Sequence, residues 1–235
     1  MPGSQMPEQP TPGQQTPGQP APEQIAAAVQ QLFQFGMGYF IPAGLHVAVT
    51  LEIPDRLAAG PKSAETLAAE TGTNADVLYR VLRMLSTVGL FFEDDARRFS
   101  LTMTSTLLRR DVPGSMAPFI TWITEPVHFR VYADTMHSVR TGQPAVEHTL
   151  GMKAFDYLAQ DPPLSEMFNA AMTAFSLGFA PALLEAYDFS GINVVVDIAG
   201  GHGALLTSIL QKYPATRGML FDLGHVIDGA VPRLA

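Results

Sequence analysis

VVVDIAGGHGALLTSILQKYPATRGMLFD, residues 194–222, changes its hydrophobic period twice. Val194-Val195-Val196 is a β-branched run that suits a strand. Asp197 to Gly203 forms a glycine-rich turn. The next eleven residues, ALLTSILQKYP, set Leu205, Leu206, Ile209 and Leu210 on one helical face, and Pro214 ends that helix. Gly218 to Phe221 reads as a second strand with Asp222 at its tip. Strand, glycine turn, helix and strand open a doubly wound, Rossmann-like α/β sheet.

The chemistry of this unit narrows its ligand. Glycines let a backbone approach a ligand without Cβ clashes, and the amides opening the helix after Gly203 offer donors and partial positive charge. Asp222 stands 25 positions beyond Asp197, where a carboxylate can accept both hydrogen bonds of a ribose diol. A strand-tip acid is solvated when its site is empty, so the fold is expected to tolerate its loss. A dinucleotide fingerprint needs a third glycine where Leu206 stands. Adenosylmethionine carries a sulfonium and an ammonium and no pyrophosphate, so an acid such as Asp197 before the turn suits it. NAD is the alternative.

Upstream, helical periods dominate. Residues 1–22 form a Pro/Gly/Gln tail with too little apolar content to order. Ile25, Val29, Leu32 and Phe33 mark an apolar helix face. Leu45, Val49, Ile53 and Leu57 continue at four-residue steps, with a break or kink expected at Pro54. Ser63 starts a helix that Gly72 stops; Asn74 or Thr73 caps another running to about Val88. Leu90 to Phe92 and Arg98 to Thr102 flank an acidic turn and read as a hairpin, which completes a winged helix. Residues 62–110 hold seven bases and six acids, and the second helix spends Val77, Leu78, Val81, Leu82, Leu85 and Val88 on burial. Arg80 and Arg83 make a thin reading head for base edges, so this module is expected to pack and dimerise rather than bind DNA. From 115 to 190 the chain is again helical, punctuated at Pro126, Gly142-Gln143-Pro144 and Asp161-Pro162-Pro163. Phe168, Met172, Phe175 and Phe179 line one stripe of the last helix, a pattern more often core than cofactor box.

Separate motifs in order carry a family resemblance. DIAGGHGALLTSILQKYP with FDL (197–214 and 221–223) is similar to the adenosylmethionine motif of the O-methyltransferases that include caffeic acid and hydroxyindole enzymes and bacterial small-molecule relatives. LHVAVTLEIPDRLA (45–58), SAETLAAETGTNADVLYRVLRML (63–85), VGLF (88–91) and RRFSLT (97–102) resemble that family's dimerisation domain. RTGQPAVEHTLGMKAFDYL (140–158) and FNAAM (168–172) resemble its linker helices. The resemblance implies a winged-helix dimerisation domain at 23–110, helical linker and acceptor-pocket helices at 111–190, and an incomplete methyltransferase domain at 191–235. It implies S-adenosyl-L-methionine as cofactor, a small hydroxyl acceptor, and a homodimer. Carried over by position, Gly200, Gly201 and Gly203 would lie against the methionine part, with Asp197 under the turn and Asp222 and Leu223 at the ribose end. Ser176 and Met172 would lie near the methionine end, and Phe168, Phe175, Trp122 and Phe129 would shape the acceptor pocket. Ala199 replaces the family's first glycine, which reads as a mild change, and Gly224 replaces a proline.

In the family a catalytic histidine follows FDL by some tens of residues, whereas 13 residues follow Asp222 here. None of the six histidines occupies the base position, and none has metal-ligand spacing such as H-x-x-x-H. The expected activity is therefore that of an O-methyltransferase lacking its catalytic end. A non-catalytic dimerisation remnant and a DNA-binding regulator are the alternatives. Composition bears on the same choice. A net charge of −8 opposes phosphate neutralisation and so argues against nucleic acid. The absence of cysteine rules out disulfides and thiolate metal sites. No secretory signal is evident, and no uninterrupted apolar run reaches the ~18 residues of a membrane span. The expectation is a cytoplasmic protein with no membrane partner.

Overall fold

The computed structural model describes residues 20–234. The expected disorder of the Pro/Gly/Gln tail falls, over residues 1–19, outside the described residues. Two compact units divide at Phe40. The first holds α1 (Pro22–Gly36), whose Ile25, Val29, Leu32 and Phe33 are exposed.

The second unit begins with α2 (Phe40–Thr50), α3 (Ile53–Arg56), β1 (Lys62–Ser63), α4 (Ala64–Thr71) and α5 (Ala75–Thr87). The helical run breaks at Glu52, in left-handed conformation at φ 53°, and not at Pro54. Pro54 instead occupies the first turn of α3, where its missing N–H is harmless. Arg110 pairs with Glu52, and its amide donates to Asp55 at 2.8 Å, so the break is tied from outside. Val49, Ile53 and Leu57 stay buried across it. Ser63 Oγ accepts from the Thr66 amide to start α4, and Gly72 ends it at φ 66°. Asn74 Oδ1 caps α5 through the Val77 amide at 3.0 Å.

The wing is β2 (Phe91–Glu93) antiparallel to β3 (Arg98–Leu101), with Phe91 opposite Leu101. β1 pairs with β3 as well, giving a strand order β1-β3-β2; two residues carry no readable period, so β1 is not legible in the sequence. Leu67, Leu82, Leu85 and Phe99 form the fully buried centre. The expected burial of Val77 and Val88 does not occur, since both lie on the outer side of α5 and are about half exposed.

A helical segment follows: α6 (Met103–Thr106), α7 (Ala117–Ile123), α8 (Pro126–Ala133), α9 (Thr135–Thr141), α10 (Ala145–Leu150), α11 (Ala154–Gln160) and α12 (Pro162–Ala186). Asp161 caps α12 by accepting from the Leu164 amide at 3.0 Å. α12 packs against α7 and against the helix that follows the glycine turn. Its 25 residues make it, among the described residues, the one single helix long and apolar enough to cross a membrane. Ser165, Asn169, Thr173 and Ser176 interrupt its apolar residues, so it holds no unbroken apolar run. The Phe175 and Phe179 rings are exposed, so the aromatic stripe is not core.

The chain then enters the α/β part as β4 (Val194–Ile198), α13 (Ala204–Lys212), β5 (Arg217–Phe221) and α14 (Gly224–Leu234). β4 and β5 are parallel with Asp197 opposite Leu220, and α13 is the crossover. The sequence placed a third glycine's absence at Leu206, which is buried. Close helix–sheet contact comes from the strand instead: a Cβ on Gly218 would lie 2.6 Å from the Leu210 side chain and 3.1 Å from Leu206. The fold is thus α/β: a mainly helical winged-helix part followed by a parallel, Rossmann-like β-α-β unit.

Candidate functional site

The turn after β4 is built from its own polar groups. The Ala199 amide extends the ladder to the Phe221 carbonyl at 2.8 Å, and the Gly203 amide closes the turn on the Gly200 carbonyl at 2.9 Å. Asp222, at the tip of β5, accepts the Gly201 amide on Oδ2 at 2.8 Å and the Leu223 amide on Oδ1 at 2.7 Å. The carboxylate therefore fastens the turn to the neighbouring strand, a structural role beyond the solvated strand-tip acid that the sequence suggests.

Ala199 lies at φ 58°, in the left-handed region that an L side chain disfavours. Its replacement of glycine is therefore not mild. Gly200 serves packing more than ligand approach, since a Cβ there would meet Asp197 Cγ and the Leu220 side chain, each at 2.5 Å. Burial pushes the Asp197 carboxyl above its ordinary range; the Leu206 amide opposes this by hydrogen bonding, and the nearby Asp222 charge adds to it.

This turn forms one wall of a cleft of about 520 Å³. Asp197, Gly200, Gly201, Asp222 and Leu223 line that wall, and Phe168, Met172, Phe175 and Ser176 of α12 line the opposite one. Nine of the twelve residues expected at the site are thus brought together. Gly203 caps α13 and is not on the wall. Trp122 sits one layer back, edge-on to Phe168 with ring centroids 5.2 Å apart. Phe129, on α8, does not reach the cleft.

Sequence reasoning missed several contributors. His202 is buried, with Nδ1 3.3 Å from Thr173 Oγ1, so it joins the turn to α12. Asn169 and Thr173 also face the cleft, and Phe155 and Leu158 of α11 floor it. The signal for the first pair was present: Asn169, Thr173 and Ser176 follow one another at helical steps beside the aromatic stripe. Among the described residues no lysine or arginine lines the cleft. Glycine-turn amides can serve an anion, but two carboxylates on the same wall favour a ligand that carries positive charge.

A family model described as an O-methyltransferase dimerisation domain matches residues 33–111, and one described as an O-methyltransferase domain matches residues 132–235. The chain belongs to the O-methyltransferase family. Among this family's curated members, phenazine O-methyltransferase PhzM of Lysobacter antibioticus is 41% identical over 204 residues, covering 87% of this chain and 60% of the relative. Phenazine-1-carboxylate N-methyltransferase of Pseudomonas aeruginosa is 34% identical over 198 residues, covering 83% of this chain and 58% of the relative. The O-methyltransferase NcsB1 from neocarzinostatin biosynthesis, solved with S-adenosylmethionine and 2-hydroxy-5-methyl naphthoic acid, aligns at a TM-score of 0.67 and 32% identity. That alignment covers 83% of this chain and 60% of NcsB1. The chain thus spans about 60% of the length of the O-methyltransferase relatives it matches.

Proposed function

We propose that the cleft binds S-adenosyl-L-methionine, and that the protein to which this chain corresponds methylates a hydroxyl on a small aromatic or polyketide-like molecule. The observation that carries this reading is a cleft with two carboxylates and, among the described residues, no lysine or arginine on its wall. When bound, the cofactor supplies an electrophilic methyl group on a sulfonium. Each Asp222 oxygen already accepts one amide and keeps a lone pair for a ribose hydroxyl. Asp197 sits under the turn and contributes negative charge toward the cationic end. Ser176 and Met172 border the methionine end, and the Gly200–Gly201 backbone closes over it.

Phe168 and Phe175 offer flat apolar surface to an acceptor ring, and Phe119 stacks behind Phe175 with centroids 5.4 Å apart. Trp122 acts through Phe168 by bracing its ring. Holding acceptor and methyl donor in one enclosed geometry supplies much of the rate in such a reaction. Deprotonation of a hydroxyl needs a general base in hydrogen-bond reach. His202 is engaged with Thr173, Asp222 with two amides and Asp197, under the turn, with the Leu206 amide, so none of the three is free for that work. These 235 residues by themselves are therefore expected to bind cofactor without transferring methyl. In the same reading residues 23–110 form the dimerisation module, 111–190 the linker and acceptor-pocket helices, and 191–235 the opening of the cofactor domain, in a cytoplasmic homodimer with neither nucleic acid nor membrane as partner.

Calorimetric titration with S-adenosylmethionine, followed by turnover of the labelled cofactor with a panel of phenols and aromatic amines, tests both halves. Binding without turnover is the expected result. Turnover would place the base within this chain, and methylation of amines alone would replace the hydroxyl reading. No binding at all would favour a non-catalytic dimerisation protein.

A further inference from the structure

The helices between the wing and the cleft hold a second group of side chains that the cleft does not use. Asp134 closes α8 and opens α9, His137 lies in the first turn of α9, and His148 lies on α10. Their sequence spacing showed no metal pattern. The fold supplies one by turning the chain at Gly142, whose φ is 71°, so that α10 packs back on α8 and α9. Ser138 Oγ accepts the Ala145 amide at 2.8 Å and fixes that corner.

One donor atom from each of Asp134, His137 and His148 lies within 4.8 Å of the other two, a grouping no other His, Asp or Glu side chains make among the described residues. The two imidazole rings stack with centroids 3.9 Å apart and planes 11° from parallel. Asp134 Oδ2 accepts from His148 Nδ1 at 2.6 Å and from Thr149 Oγ1 at 3.2 Å. The carboxylate is thus already turned toward the imidazoles, and Thr149 holds it there.

We propose that Asp134, His137 and His148 bind one divalent transition-metal ion of the Zn²⁺, Ni²⁺ or Cu²⁺ class. Two imidazole nitrogens and one carboxylate oxygen match the donor preference of these borderline ions, whereas Mg²⁺ and Ca²⁺ take oxygen ligands throughout. A tetrahedral ion with bonds of ~2.0–2.1 Å spaces its ligands roughly 3.4 Å apart. Asp134 Oδ2 and His148 Nδ1, now 2.6 Å apart, open toward that value as the ion enters between them, and a His137 donor already lies within 4.8 Å of one from each residue. His148 is exposed and can pivot out of the stack, and Asp134 exchanges its imidazole proton for the ion. Water completes the coordination on the open side. The bound ion clamps α10 to the α8–α9 junction and stiffens the helices that lead toward the cleft.

The test uses the untagged 235-residue chain, which contains no cysteine to compete for metal. Titration with Zn²⁺ should show one equivalent bound and a rise in thermal midpoint. Co²⁺ should give the visible absorption of a low-symmetry nitrogen/oxygen site. His137→Ala and His148→Gln should each weaken Zn²⁺ binding by roughly tenfold or more and abolish the Co²⁺ spectrum, with helical circular dichroism unchanged. His148→Gln retains an amide donor for Asp134, so it carries the comparison if His137→Ala fails to fold. Absence of stoichiometric binding would overturn the proposal, and so would undiminished affinity in the two variants, which would put the ion on other histidines.

Discussion

At the scale of single residues, Asp222 couples the turn to the ligand. Its two oxygens hold the Gly201 and Leu223 amides. Asp222→Ala leaves two amides without their acceptor and should cost about 1–3 kcal/mol of stability, besides weakening S-adenosylmethionine ~10- to 100-fold. Asp222→Asn keeps one acceptor oxygen and should lose less of both. Thermal melts and calorimetry of the three proteins decide this, and an unchanged melt in Asp222→Ala would show that the turn stands without it. Ala199 tells the opposite story. A left-handed alanine costs roughly 1–2 kcal/mol, part of which glycine returns as unfolded-chain entropy. Ala199→Gly should therefore stabilise by up to about 1 kcal/mol in denaturant unfolding, and a loss of stability would mean that the turn is not strained. Asp197 adds a pH dependence. Burial, with Asp222 nearby, raises its folded pKa above the ordinary value of 3.8, so the folded state holds the proton longer than the unfolded chain does. Stability attributable to this carboxyl is greatest in acid and falls as pH rises through the window above 3.8. Asp197→Asn keeps an acceptor for the Leu206 amide and removes the titration. Its melting midpoint should gain on the parent between acidic and neutral pH, and parallel curves would refute the assignment.

At the scale of elements, α5 and the wing bear on the expectation that this winged helix does not bind DNA. Arg83 donates to the Tyr79 hydroxyl at 2.7 Å, and that hydroxyl donates to Glu93 at 2.8 Å. Arg97 lies over the Tyr79 ring at 4.0 Å, and Arg98 pairs with Asp94. The basic side chains near the wing are occupied by its own acids and aromatics, which leaves little charge for phosphate. Duplex DNA should give no electrophoretic shift with this chain at low salt, and a salt-sensitive shift would revive the regulator reading. α12 makes a different point. Its stripe of Phe168, Met172 and Phe175 announced that one helix face was in use, but periodicity does not say whether a face meets core or cavity. The interleaved polar residues Asn169, Thr173 and Ser176 were the better indicator, because a buried core face has no partners for them.

At the scale of the whole molecule, the chain carries both matched domains and about 60% of its relatives' length. Val196, Ile198, Met219 and Phe221 stand exposed on the two-stranded β4–β5 sheet, which no third described strand flanks. The dimerisation-domain match, together with the exposed apolar residues of α1, leads us to expect a homodimer. Sedimentation equilibrium should return twice the chain mass, and a monomer at high concentration would count against the dimer.

The sequence by itself determined the class of the fold, the main helices and strands apart from β1, and the caps of α4 and α5. Those signals act over three or four residues: Ser63 on Thr66, Asn74 on Val77, Asp161 on Leu164. It also determined the site wall, because β4, its turn and β5 lie close along the chain. Only the tertiary structure decided what joins distant segments. Arg110 reaches back to Glu52, His202 meets Thr173, and Asp134 finds His148. Each such contact depends on where whole helices come to rest, which hydrophobic packing sets and no local period records.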